Sequence, residues 1–284
     1  MLDALPASQA LELGSELDDL GYGSLWFGEA YGGESLTTAT MLAGATRTIV
    51  IGTGIANIYA RGPMATAAGA RTIHALSAGR FVLGLGVSHR PLVERDRKMA
   101  YAPPVAAMSD FLDGMEQAPY LGANVELPPI VLAALGPRML MLSRDRTAGA
   151  HPYLVTPDHT QLAREILGKD PLLVVEQAAV LNQESREALR RAHEHLDIYT
   201  GLPNYRNNWL REGFSDDDLV RGGSDKLAHA LVAIGDEGAI TKKVNDHLDA
   251  GADHVCLQVL GANLAEPPLA EWRSLARALA EVKP

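Results

Sequence analysis

A histidine follows directly on a strand-like run in GRFVLGLGVSH, residues 79–89. Imidazole titrates near pH 6.5, so His89 can give or take a proton close to neutrality. The run before it carries Phe81, Val82, Leu83, Leu85 and Val87, the composition of a strand buried on both faces, as in parallel sheets. Gly84 and Gly86 remove side chains where a phosphate, another ligand or a neighbouring element approaches the backbone, and the spacing does not choose among these. Val87, Ser88 and His89 then stand at the carboxyl end of the strand, where α/β barrels and open α/β sheets alike keep their chemistry. A second acid–base candidate, Glu29, closes the run SLWFG, and its carboxyl can be tuned by burial and neighbours. Gly54, Ile55, Ala56 and Asn57 follow TIVIGT, and Asn57 offers both a donor and an acceptor.

An anion has its own candidate place. Gly136, Pro137 and Arg138 lie between a strand-like and a helix-like segment, where backbone N–H groups point at a bound anion. Arg138 adds a planar, permanently charged fork suited to phosphate, and Pro137 fits a first helical turn. Arg61 and Arg90 are weaker candidates for an anionic tail or an acidic substrate. His151 and Tyr153 alternate along AHPYLV, and the HEH string at residues 193–195 falls on a polar helix. Neither set supplies enough ligands for a metal, and no metal site is expected.

These residues need a scaffold, and the chain alternates short β-rich runs with Ala/Leu/Glu-rich helical segments throughout. Strands are expected at residues 24–28, 48–56, 80–87, 129–135, 150–155, 172–181 and 254–260. Helices are expected at 8–20, 37–46, 63–75, 104–115, 138–145, 160–167, 185–199, 226–234, 237–250 and 269–281. Such alternation implies right-handed βαβ units and a parallel sheet. Seven strands are one short of a closed eight-stranded barrel, because the sequence opens on a helix; either residues 1–5 supply a stub or the first strand is absent from this sequence. Residues 199–223, with NYRNNW, EGFSDDD and RGG, read as a loop-like insertion within a single domain spanning 1–284. Insertions of this kind line pockets or interfaces.

Composition narrows the class. A net charge of −10 argues against a nucleic-acid surface, and no run of 18 apolar residues offers a membrane span. The amino terminus carries acids and no basic region, unlike a secretory signal, which points to the cytoplasm. Cys256 is the sole cysteine and reads as a small buried hydrophobe in HVCLQVL.

The strings GYGSLWFGE, TIVIGTGIANIYARGP, SAGRFVLGLGVSH and AALGPRML occur in this order along nearly the whole chain. In that order they resemble the bacterial luciferase-like monooxygenase superfamily, and more narrowly its actinobacterial oxidoreductases that depend on the deazaflavin coenzyme F420. IANIYARGPMATAA, AALGPRML and GLPNYRNN are similar to one mycobacterial-type subfamily. The resemblance implies a TIM-type (β/α)8 barrel of parallel strands, although similar proteins begin with a strand before the LDALP segment. It implies that His89 and Glu29 are catalytic, and His89 stands where a related sugar-phosphate dehydrogenase has a catalytic acid. Gly54 and Ile55 would form a non-proline cis peptide, a bulge pressed against the back of the cofactor ring. Ala56, Asn57, Val87 and Ser88 would lie beside that ring, and Gly136, Pro137 and Arg138 would grip its phosphate. The implied activity is hydride transfer between F420 and an unidentified small organic substrate. An FMN-dependent monooxygenase of the same fold is the alternative, and a non-catalytic cofactor-binding or partner subunit is the alternative from another class. A homodimer is implied too, since dimers are common in the family.

Overall fold

The computed structural model describes residues 5–123, 125–263, 266–280 and 282, which fall into two compact units: Met1–Ala133 with Met141–Gly149, and Ala134–Leu140 with Ala150–Pro284. The expected amino-terminal stub lies, apart from Leu5, outside the described residues.

The first unit opens with α1 (Ala7–Asp19), which buries Ala10, Leu13 and Leu17 at three- and four-residue spacing. β1 (Ser24–Phe27), α2 (Ser35–Ala45) and β2 (Val50–Thr53) follow. Asp18 at the end of α1 fixes where β2 begins, because its carboxylate accepts the amides of Arg47 (2.6 Å) and Ile49 (2.9 Å). The expected strand 48–56 is broken by a cis peptide between Gly54 and Ile55 and resumes as the two-residue β3 (Ala56–Asn57). α3 (Pro63–Leu76), β4 (Phe81–Gly86), α4 (Pro104–Glu116) and β5 (Ile130–Leu132) complete the order. β1 pairs in parallel with β2, β2 and β3 with β4, and β4 with β5. The register sets Asn57 opposite Gly86, so the ends of β3 and β4 lie side by side.

The glycines of β4 serve this packing. A Cβ on Gly84 would stand 1.9 Å from the carbonyl oxygen of Thr53, and one on Gly86 would stand 2.4 Å from the Ile55 side chain. The Thr53 hydroxyl donates to the Gly84 carbonyl (2.8 Å) and accepts from its amide (2.9 Å). Close approach at both glycines therefore comes from the neighbouring element, one of the alternatives left open by the glycine spacing.

α5 (Pro137–Arg146) and β6 (Gly149–Ala150) each contribute residues to both units; the expected strand 150–155 shrinks to this bridge. In the second unit α6 (Pro157–Leu167) precedes β7 (Leu172–Leu181), α7 (Ser185–Tyr199) and α8 (Pro203–Arg211). α8 corrects the loop-like reading of residues 199–223 over Pro203–Arg211, while residues 212–223 remain turns and loop. NYRNNW is helical because Trp209 is fully buried there, with its indole N–H bonded to the Leu154 carbonyl (3.1 Å). α9 (Asp225–Leu231), β8 (Val232–Gly235), α10 (Glu237–Asp249), β9 (His254–Val259) and α11 (Leu269–Leu279) end the chain. β7 pairs in parallel with both β8 and β9. β8 corrects the helix expected at 226–234. A short apolar run reads equally as helix or strand, and here Val232 and Ile234 favour the sheet while Gly235 leaves it at φ +140°. Among the described residues no helix is long and apolar enough to cross a membrane.

Candidate active site

At the carboxyl ends of β1, β2, β3 and β4 the first unit carries Glu29, Gly54, Ile55, Asn57, Val87, Ser88 and His89. The sequence-predicted ring-side residues therefore come together, with one distinction. Ala56 is wholly buried, whereas Ile55 is partly exposed and lies over Gly86, in the space that a Cβ there would take.

Glu29 is enclosed. Its Oε2 accepts the Asn57 amide (2.8 Å), and its Oε1 accepts the Ser35 amide (3.3 Å) and an N–H of Arg61. Arg61 reaches Glu34 as well, so two carboxylates oppose its charge. That arrangement leaves Arg61 little to offer an anionic tail. Asn57 is 1 % exposed, and its Oδ1 accepts the Tyr59 amide (2.9 Å). Its Nδ2 is buried with no hydrogen-bond partner. A buried donor in that state is destabilising unless something accepts from it.

His89 is partly exposed between β4 and a π-helical turn at Leu92–Asp96, and its carbonyl accepts the Val93 amide (3.1 Å). Ser88 before it takes a left-handed conformation (φ +56°), and its carbonyl accepts from Tyr101 Oη (3.3 Å). Tyr101 stacks on Tyr59 (5.8 Å between centroids) and lies under the Arg90 guanidinium at 5.0 Å. Burial and the neighbouring Tyr59 raise the Tyr101 phenol, against the pull of Arg90. Arg90 also bonds Glu94, its i+4 neighbour on the surface.

The second unit holds the expected anion turn. Gly136 is the residue before α5, and its carbonyl accepts the amides of Met139 and Leu140. Pro137 and Arg138 are exposed, and Arg138 makes no ion pair among the described residues. Sequence reasoning missed a second cation. Arg211, at the end of α8, brings Nη2 to 3.8 Å from the position a Cβ would take on Gly136. Its Nη2 is held by Asn208 Oδ1 (2.8 Å). The signal was in NYRNNWLR, but only the helix reveals which arginine turns back to the glycine.

The interior of this unit contains a polar cluster that was also unforeseen. Glu176 on β7 is 5 % exposed; its Oε2 accepts the Leu154 amide (2.9 Å), and its Oε1 has no partner. Burial pushes its carboxyl up to about 8, against the Leu154 amide, which lowers it. Tyr153 Oη donates to Gln258 Oε1 (2.7 Å) and lies 3.0 Å from Tyr199 Oη and 3.3 Å from His195 Nε2. Burial pushes His195 down to about 4. His195 thus leaves the polar face expected for HEH, while His193 bonds the Gly222 carbonyl and Asp225. His151 is buried against the Val174 carbonyl (2.8 Å).

Comparison with known proteins now adds to this geometry. The model of the luciferase-like monooxygenase family matches residues 2–254. The 5,10-methylenetetrahydromethanopterin reductase of Archaeoglobus fulgidus is 25% identical over 258 residues, 81% of this chain and 77% of the reductase. An F420-dependent secondary alcohol dehydrogenase in complex with an F420–acetone adduct superposes with a TM-score of 0.77 at 13% identity, covering 100% of this chain and 97% of the dehydrogenase. The oxygenating constituent of 3,6-diketocamphane monooxygenase from Pseudomonas putida, in complex with FMN, gives 0.70 at 16% identity, covering 99% and 94%. These likenesses establish the fold class: parallel strands and helices of the TIM-barrel type.

Proposed function

This chain belongs to the luciferase-like monooxygenase family, and from that premise we propose that it is an oxidoreductase passing a hydride between coenzyme F420 and a small organic substrate. The observation that carries the reading is Asn57. A buried amide N–H without a partner, directly beyond the cis Gly54–Ile55 bulge, fits an acceptor on a flat heterocycle. The redox chemistry is that of the bound deazaflavin, which gives or takes the hydride. The chain's own residues bind and orient. Ile55 would back the ring, Val87 and Ser88 would flank it, and His89 would exchange the accompanying proton with the substrate. In the second unit the Gly136, Pro137 and Arg138 turn, with Arg211 beside it, offers the donors and charge that a cofactor phosphate needs.

FMN is the second reading, favoured by the FMN complex of a similarly folded monooxygenase. Titrating the protein with F420 and with FMN, followed by quenching of Trp26, Trp209 and Trp272, separates the two. Tighter binding of F420 supports the proposal. Tighter binding of FMN, with oxygen uptake during turnover, replaces it, and binding of neither removes both.

A further inference from the structure

Glu29 is the acid that its place on the chain offers as a proton carrier, and its surroundings give it other work. Its two oxygens are occupied by three donors: the amides of Ser35 and Asn57 and the guanidinium of Arg61. The side chain is 5% exposed, and Arg61 beside it is 12% exposed. Arg61 continues to Glu34, whose carboxylate also accepts the amides of Leu36 (3.3 Å) and Thr37 (2.7 Å) at the start of α2. The result is a clamp between the end of β1, the start of α2 and the end of β3.

What the clamp holds is Asn57. Its backbone amide is tied to Glu29, and its neighbour Ile58 donates to the Gly86 carbonyl (3.1 Å). Its side-chain oxygen is turned to the Tyr59 amide, which fixes the orientation of the amide group. Only Nδ2 is left, and it is buried without a partner. An asparagine in solution can offer either pole; this one can offer a donor alone.

We infer that Glu29 and Arg61 are positioning residues acting through Asn57, and that they make Asn57 a specificity determinant by presenting N–H, and not C=O, to an acceptor oxygen of the cofactor ring. The inference rests on the proposed reading that the ring binds beside β3. It predicts that Glu29 contributes to cofactor binding without touching the cofactor.

A double-mutant cycle on F420 affinity tests it, using Asn57→Asp, Glu29→Gln and the double variant, each read by tryptophan quenching. Asn57→Asp keeps the size and the bond to Tyr59 but turns an acceptor toward the ring, and is expected to weaken F420 by about tenfold or more. Glu29→Gln, which puts an amide against an amide donor, is expected to weaken it similarly. The double variant should bind no worse than Asn57→Asp alone. Losses that multiply in the double variant overturn the inference, because Glu29 then acts on the ring independently. The absorbance shift of bound F420 gives a second readout, expected to be lost in both single variants; its persistence in Glu29→Gln overturns the inference as well. If Glu29→Gln does not fold, the near-isosteric Asn57→Asp still decides, since unchanged affinity there refutes the specificity role. A wild type that binds neither F420 nor FMN removes the functional reading itself, an outcome distinct from wild-type binding that Asn57→Asp leaves intact.

Discussion

Glu176→Gln should make the protein more stable at neutral pH, by an amount that grows as pH rises. Glu176 is buried on β7 with one oxygen unpartnered. Tyr153, Tyr199 and Tyr205 feel its charge, His195 adjoins Tyr153, and Cys256 pairs with it across the β7–β9 ladder. Burial raises its carboxyl from an ordinary 4.5 to about 8, so the folded chain keeps the proton through neutrality while the unfolded chain has released it. A raised folded value means that the stabilisation is complete below about 4.5 and is lost as pH climbs through about 8. Each pH unit in that window costs about 1.4 kcal/mol, so holding the proton at pH 7 costs about 3 kcal/mol.

Gln has the shape of the protonated acid, can keep the bond from the Leu154 amide, and does not titrate. Urea unfolding of wild type and variant, followed by tryptophan fluorescence from pH 4 to pH 9, gives the difference directly. The two proteins should coincide near pH 4 and diverge to about 3 kcal/mol at pH 7. Subtracting the curves cancels His151, His195 and His247, which burial pushes down to about 4. Parallel curves between pH 5 and pH 8 would refute the reasoning, because Glu176 would then be ionised in the folded chain.

Three further outcomes follow from the same geometry. His89→Gln should lower turnover by about a hundredfold or more on any substrate the wild type accepts, with F420 affinity within about twofold, as expected for loss of a general acid–base and not of a binding group. Arg138→Ala and Arg211→Ala should each weaken F420 binding by about tenfold at low salt and flatten its salt dependence, measured by titration across ionic strengths. Gly84→Ala should lower the melting temperature sharply, a loss of about 3 kcal/mol or more by calorimetry, because the new methyl meets a Thr53 carbonyl fixed in the adjacent strand.

Periodicity locates most of the scaffold because hydrophobic burial dictates it. α1, β4, β7 and α10 fall close to where the spacing of apolar residues sets them. The misreadings have two causes: a short apolar run carries no period of its own, and a polar run hides a single buried anchor. LVAIG extends a helix by spacing alone and is largely β8 in the fold because it has a partner in the end of β7. NYRNNW looked like a loop because its polar residues outnumber its apolar ones, yet one buried indole is enough to anchor α8.

The candidate site divides along the same line. Gly84 and Gly86 are informative in sequence because the close approach of Thr53 and Ile55 requires them, so their identity reports their geometry. Glu29, Arg61, Asn57 and Arg211 are informative only once pairing is known. In the fold the Glu29 carboxylate has three donors and the Arg61 guanidinium two carboxylates, partners that the linear sequence does not show. Arg61 and Arg211 make the contrast sharp. Arg61 follows a recognisable string and faces two carboxylates, whereas Arg211 sits in the least regular part of the sequence, and its guanidinium is held by an asparagine beside Gly136. The charge available to a ligand is therefore set by which arginine finds a neutral partner, and that is decided by tertiary contacts between 28 and 32 residues apart around Glu29 and by one turn of helix at Arg211.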